Sequence, residues 1–469
     1  GAKAWRGPLA AHGRRKKLKV PRIFYGWWIV AAGLGVNSLS STLYVYGFGA
    51  FFIPWQEAFG WSRAALGGLI GMARLEGGLM APIAGWLIDK YGPRRMMFLG
   101  ISLMGVGFLA LSQVRSLTML YVVFIGLLAT GSSLGTGRAV QVAVVNWFIR
   151  RRGRAIGLLM TGFGVGGSFV FLLGMAIEKL GWQGGAILAG IITLVVGYPL
   201  AWIVRHKPEQ MGLLPDGDKA PVLIPDDPSL ERETPTSYTV GSGNPTATLT
   251  QAAKPPRFWQ RDPRPEIDFT VRQALKAPAF WMLAVMQSIW AAAPAINTVH
   301  LAPFLTQELG VTYAVALAAL SFFAFMTTPG RLGFGFIADY VNIRLLMAAL
   351  LIIEGTGILL FSTVRTMGQV PFYIIIFAVA HGGVVSLQAV LLGYFFGRKS
   401  FGTISGVISM FSLPMAVGAP IWIGWMADTQ QGGYRIAFRI MAGLLAVAAT
   451  SILLARRPRL RVPEGQLVF

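Results

Sequence analysis

The sequence predicts an all-α membrane protein of twelve transmembrane helices arranged as two six-helix pseudo-repeats. Three observations predict it. Of 469 residues, 54% are hydrophobic and only 13% are charged, and mean hydropathy is +0.60; soluble proteins carry roughly a quarter charged residues. Apolar runs of about 20 residues, each long enough to cross a bilayer, recur along most of the chain. GWLIDKYGPRR, beginning at Gly85, returns as GFIADYVNIR from Gly335, so that Gly85, Asp89 and Arg94 recur as Gly335, Asp339 and Arg344. A repeat at so long a period marks two homologous halves, and repeated halves in a membrane chain point to a transporter with its site between them.

The elements follow in order. Residues 1–23 form a basic tail with no apolar run, which suits a solvated or headgroup-associated segment. Residues 24–204 form the first bundle, with spans over about 24–54, 63–89, 94–113, 117–148, 154–178 and 184–204. Residues 205–275 are a proline-rich linker without an apolar run, whose last part, FTVRQALKAPAFW from Phe269, suits a short surface helix. Residues 276–456 form the second bundle, with spans over about 278–307, 313–340, 343–363, 371–397, 401–428 and 435–455, and 457–469 form a C-terminal tail. The basic clusters at Arg14–Lys19, Arg150–Arg154, Arg205–Lys207, Arg398–Lys399 and Arg456–Arg461 fall on alternate loops. By the positive-inside rule those loops, the linker and both termini are cytoplasmic, and the inner (plasma) membrane is the expected location. The same distribution turns the net charge of +22 away from nucleic acid and towards membrane lipids. With no cysteine, thiol catalysis, disulfides and cysteine metal sites are excluded; no metal or cofactor is expected.

The halves correspond beyond the opening motif. RRRGRAIGLLMTGFGVGG from Arg150 matches GRKSFGTISGVISMF from Gly397, with Gly157 against Gly406, and GWQGGAILAG from Gly181 echoes GGYRIAFRIMAG from Gly432. On these residues the chain resembles the major facilitator superfamily over nearly its full length. GWLIDKYGPRR is similar to the superfamily's cytoplasmic loop signature between spans two and three, and GFIADYVNIR to its weaker copy between eight and nine, where Asn342 replaces Gly92. WFIRRRGRAIGLLMTGFGVGG, PEQMGLLPDGD, PGRLGFGFIADY and FFGRKSFGTISG resemble a bacterial branch related to monocarboxylate transporters and oxalate–formate exchangers. That resemblance implies a gate role for Gly85, Asp89, Gly92, Arg94, Arg95, Asp339 and Arg344, joining the cytoplasmic ends of the halves in the outward-open state. It also implies that an arginine of span eight contacts the substrate carboxylate, and Arg331 occupies the matching position. The related eukaryotic carriers have an acidic residue four positions before that arginine and a lysine in span one. Here Thr327 holds the first position, and Tyr44 and Tyr46 stand in span one, which argues against the same proton relay.

Charges within spans need a partner or a water-filled cavity, because a charged side chain at the bilayer centre costs about 2.5–3.5 kcal/mol even on lenient scales. Arg331 lies eight residues before Asp339, about 12 Å from the membrane edge, and Arg138 twelve before Arg150, about 18 Å in, at 1.5 Å per residue. Both reach near the midplane, where a guanidinium can hold a carboxylate through two parallel hydrogen bonds. For Arg331 the expected role is anion ligand, against neutralisation by a neighbouring helix; for Arg138, substrate or gating contact and structural pairing stand level. Arg74 and Glu76 are two apart and point to opposite sides; Glu76 is either a proton carrier or part of a salt bridge. His300 shares a helical face with Asn297, and His381 with Gln388. Each histidine is a proton-coupling or substrate candidate, with a neutral hydrogen-bonded ring as the alternative. Tyr46, with Tyr44 and Asn37, suits a cavity lining. Glu354, with no polar neighbour within a turn, is expected to serve packing on a lipid-facing flank.

The leading function is secondary active transport of a small organic anion of the monocarboxylate type by alternating access, by proton symport or anion exchange, in a monomer. The alternative within the same fold is efflux of drugs or amphiphiles, suggested by Phe322, Phe323 and Trp290. A membrane enzyme or sensor is disfavoured: the chain has no HExxH, nucleotide-binding loop or cysteine pair.

Overall fold

In lipid a backbone must satisfy its own hydrogen bonds, so each apolar run becomes a helix. The computed structural model describes residues 23–217 and 267–458. Nearly all of the predicted N-terminal tail, most of the linker and most of the C-terminal tail therefore lie outside the described residues. Among the described residues the twelve expected spans are present. The first comprises Tyr25–Ser40, a π-helical turn at Ser41–Val45 and Gly47–Phe59. The second and third are Arg63–Tyr91 and Pro93–Leu111. The fourth runs through Leu117–Val123, a π stretch at Phe124–Ala129, Thr130–Gly135 and Gly137–Trp147. The fifth begins as Arg152–Ser168. It ends within Val170–Ile203, which bends at Gly181 (φ 72°) and continues as the sixth.

The second half repeats this order. Its first helix, span seven, is broken like span one: Pro278–Trp290 ends in a turn, a π segment follows at Ile296–His300, and Leu301–Leu309 completes the crossing. Such π segments loosen the regular ladder and are common where a helix lines a functional site. Spans eight to twelve are Tyr313–Ile337, Ile343–Phe361, Val370–Phe396, Phe401–Thr429 and Gly433–Leu454. The short surface helix expected before span seven is Val271–Lys276, started by a reciprocal cap between Thr270 and Gln273.

The two halves meet chiefly along two helix crossings, span two on eleven and span five on eight. Glycine permits both. A Cβ on Gly85 would stand 2.1 Å from the Gly402 carbonyl, and one on Gly406 2.1 Å from that of Ala81. At the other crossing a Cβ on Gly153 would stand 2.3 Å from the Gly335 carbonyl, and one on Gly157 2.7 Å from that of Arg331. Backbones this close are how small residues let membrane helices associate. These close approaches lie on the side of the membrane that carries Asp89 and Asp339, hereafter the motif side. Towards the opposite side, Gly67 and Gly71 of span two and Gly418 of span eleven face open space.

Candidate functional site

Two carboxylates seal the motif side. Asp89, at the end of span two, accepts hydrogen bonds from the Gly402 amide (3.0 Å), the Thr403 amide (2.7 Å) and the Thr403 hydroxyl (2.7 Å). Asp339, after span eight, accepts from the Gly153 amide (2.8 Å) and from Arg154 Nε (2.9 Å). Each carboxylate therefore sits on the N-terminus of a helix of the opposite half, where free amides and the helix dipole favour an anion. The described contacts of the basic members of the repeat lie within their own halves. Arg94 lies over the Trp202 ring at 4.2 Å, and Arg344 donates to the Ile452 and Leu453 carbonyls that end span twelve. Of the residues expected to join the halves, the structure brings Gly85, Asp89 and Asp339 to the interface, and it places Arg94 and Arg344 away from it. Gly92 has φ 88°, a conformation that favours glycine, and leads into Pro93 at the start of span three. Asn342 has φ −65° and caps span nine through its side-chain oxygen on the Arg344 amide. The second copy is a different helix start, not a decayed one.

Beside each seal a loop aspartate fixes the receiving helix. Asp216 accepts from the amides of Ile149, Arg150 and Arg151, and Asp268 from those of Arg398 and Lys399. Neither is marked by the sequence as a site residue, since both lie in the linker; the available signal is PDGD, where Asp216 holds a positive φ before Gly217.

Two arginines lie deeper, at the same interface. Arg138 of span four donates from Nη1 to the Ala81 carbonyl (3.1 Å) and from Nη2 to Ser409 Oγ of span eleven (3.2 Å), so it bridges the halves. Arg331 of span eight donates from Nη1 to the Met160 carbonyl of span five (3.0 Å), also across the halves. Its Nε is buried without a hydrogen-bond partner among the described residues, and Tyr46, 45% exposed, lies within its electrostatic reach. Neither guanidinium is paired with a carboxylate among the described residues, so their charge is met only by neutral oxygens. Ala81, whose carbonyl serves Arg138, is the residue that the repeat sets opposite Arg331.

The remaining polar residues are divided between separate places. Glu76 accepts from Thr130 Oγ1 (3.1 Å) and Ser133 Oγ (3.5 Å) of span four, while Arg74 turns the other way and lines a cleft of about 350 Å³ with Trp290, Pro294 and Leu413. Gln388 accepts from Gln287 Nε2 (3.4 Å) in a smaller cavity of about 80 Å³ that Gln141, Ser405 and Ser409 also line; its own amide nitrogen has no partner among the described residues. Asn297 and His300 are both buried in the π segment of span seven, and the His300 ring bonds the Pro420 carbonyl at 2.9 Å. His381 does not share a site with Gln388: its Nδ1 lies 2.7 Å from Glu354 Oε1. Glu354 corrects the expectation of a lipid-facing packing residue. It is fully buried, and its other oxygen accepts from Trp290 Nε1 at 3.1 Å. Asn37 likewise faces inward, donating to the Leu159 carbonyl.

A model described as the Major Facilitator Superfamily matches residues 30–420. The chain belongs to the major facilitator superfamily. These carriers are not enzymes. Among curated relatives it is similar to the bovine (Bos taurus) monocarboxylate transporter 13, 32% identical over 36% of this chain and 40% of that one, a match that spans less than half of the relative's length. Over greater length it is similar to mouse (Mus musculus) monocarboxylate transporter 12, at 24% identity over 93% of this chain and 88% of the other. It is also similar to the oxalate:formate antiporter of Oxalobacter formigenes, at 21% identity over 68% and 65%. Among solved structures it matches the major facilitator transporter FucP in its outward conformation, with TM-score 0.63 and 16% identity over 93% of this chain and 100% of that chain. That likeness is one of fold.

Proposed function

We propose that this chain is a secondary carrier for a small organic anion of the monocarboxylate class, working by alternating access as a monomer in the plasma membrane. The motif side is then cytoplasmic, with both termini there. One observation carries the reading: two arginines lie partly buried where the halves meet, and neither has a carboxylate beside it among the described residues. A buried guanidinium without a counter-ion is costly, and a cargo carboxylate supplies what is missing. Arg331 is the principal ligand, through its unpartnered Nε; Tyr46 adds a hydroxyl. Arg138 is already satisfied by two neutral acceptors, so its part is to lose the Ser409 contact when the halves separate on the motif side. Asn297 and His300 stand in the π segment of span seven and Gln388 in the inner cavity, and their roles concern the shape of that helix and that cavity. The relatives named as monocarboxylate and oxalate:formate carriers support the cargo class.

The test is uptake of labelled formate, lactate and pyruvate into proteoliposomes. Losing one partner of a buried charged contact costs about 2–5 kcal/mol, so Arg331→Ala should lower uptake at least about thirtyfold. Arg331→Lys, which keeps the charge but not the two-point geometry, should fall nearly as far. Uptake at the native rate in Arg331→Ala would overturn the reading.

A further inference from the structure

We propose that Glu354 and His381 together form a proton site, loaded through His381 and read out at the cleft by Trp290. The proposal rests on the anion-carrier reading, because it supplies the coupling ion that reading leaves open. The pair lies in the core of the second half. Glu354, on span nine, has no accessible surface, while 9% of the His381 side chain, on span ten, remains accessible. The imidazole is therefore the route by which a proton reaches the carboxylate. Both carboxylate oxygens are engaged, one by His381 Nδ1 and one by Trp290 Nε1, and the indole stacks on the imidazole at 5.2 Å with 24° between planes. Phe323 of span eight and Phe377 of span ten close the surroundings. The packed helices carry other ionisable groups with partners of their own. Arg331 is on the Met160 carbonyl, His300 on that of Pro420, Arg435 on Glu308 and Arg152 on the Phe148 and Val145 carbonyls. Arg439 and Tyr434 also stand on span twelve and Asp428 on span eleven, and none of these groups bonds to the pair among the described residues.

The proton balance is simple. His381 takes a proton at Nε2 and passes the one on Nδ1 to Glu354, which leaves a neutral ring in its other tautomer and a neutral carboxyl group. Release reverses both transfers. A protonated carboxyl group makes a weaker acceptor, so loading loosens the indole contact. Trp290 is the last residue of the first segment of span seven and also lines the cleft beside Arg74 and Pro294. A change at the pair thus acts where that helix is already broken. Charge balance gives the coupling its sense. Empty, the second half carries Arg331 as a cation and Glu354 as an anion; loaded with one monoanion and one proton, it carries both neutralised. In either state this set adds no net charge to a moving bundle, which the low-dielectric interior favours.

The experiment uses the full chain in liposomes and has two arms. In the first, infrared spectra are followed as pH is varied. A buried carboxyl band should titrate, vanish in Glu354→Gln and shift its midpoint in His381→Asn. This arm needs no cargo, and a Glu354 band that does not respond to pH overturns the proposal. In the second, labelled lactate is the probe. A gradient of one pH unit should drive about tenfold accumulation in the native protein, since one unit is a tenfold ratio for one proton per monoanion. Glu354→Gln should lose that accumulation and keep lactate counterflow. Accumulation retained in Glu354→Gln would also overturn the proposal. Absence of lactate, formate and pyruvate counterflow in the native protein would instead count against the anion-carrier reading, with the infrared result deciding the proton site independently.

Discussion

The two motif-side crossings are built on one plan with different parts. In both, an aspartate at the end of one helix seats on the N-terminal amides of a helix from the other half, and paired glycines let the backbones touch. The span two–eleven seal uses only amides and a hydroxyl around Asp89. The span five–eight seal adds the Arg154 guanidinium, which also donates to Tyr340. One step deeper the plans diverge. The first crossing presents Ala81, whose carbonyl is used by Arg138, and the second presents Arg331, a charge with an unused donor. On the proposed reading, the shared part closes the motif side, and the part that differs is where a carrier can hold cargo without duplicating its site.

Three pairs of substitutions probe that comparison, and the absence of native cysteine makes a single introduced cysteine, Ser405→Cys in the small inner cavity, a clean reporter. The largest effect is expected from Gly406→Leu and Gly157→Leu. Each puts a side chain into the opposite backbone, and overpacking of this kind costs about 3 kcal/mol, or about a hundredfold in the closed-to-open ratio. Labelling of the cysteine from the motif side should rise in both. A rise in Gly406→Leu alone would show that the two crossings are not equivalent seals.

A smaller effect is expected from the carboxylates. Asp339→Asn strands Arg154, whereas Asp89→Asn leaves only neutral donors, and hydrogen bonds to charged groups contribute about 1.5–3 kcal/mol. Both variants should raise labelling about tenfold or more, Asp339→Asn further. Equal rises would mean that the Arg154 contact adds nothing to the seal.

The smallest effect is expected from Arg94→Ala and Arg344→Ala, which lose contacts within one half. Each should lower stability by about 1 kcal/mol, read as a modest fall in Tm, and leave labelling unchanged. Raised labelling would return these arginines to the gate.

Much of the fold was legible in the sequence because lipid allows a long apolar run few structures besides a helix, and because the repeat at Gly85 and Gly335 declared two halves. Arg331 and Arg138 were legible for a related reason: a charge inside a span is expensive wherever it points. What the sequence could not reveal was which groups meet. Glu354 has no polar neighbour along its own helix, and its partners come from spans seven and ten. The acidic and basic members of the loop motif look alike in one dimension, yet Asp89 and Asp339 cross between the halves while Arg94 and Arg344 turn back. Asn342 reads as a lost glycine until its cap on the Arg344 amide is seen. Composition and period determined the helices, their number and the presence of buried charge, since these depend on the cost of transfer into lipid. Pairing depends on distances across helices far apart in the chain, and only the tertiary structure decided it.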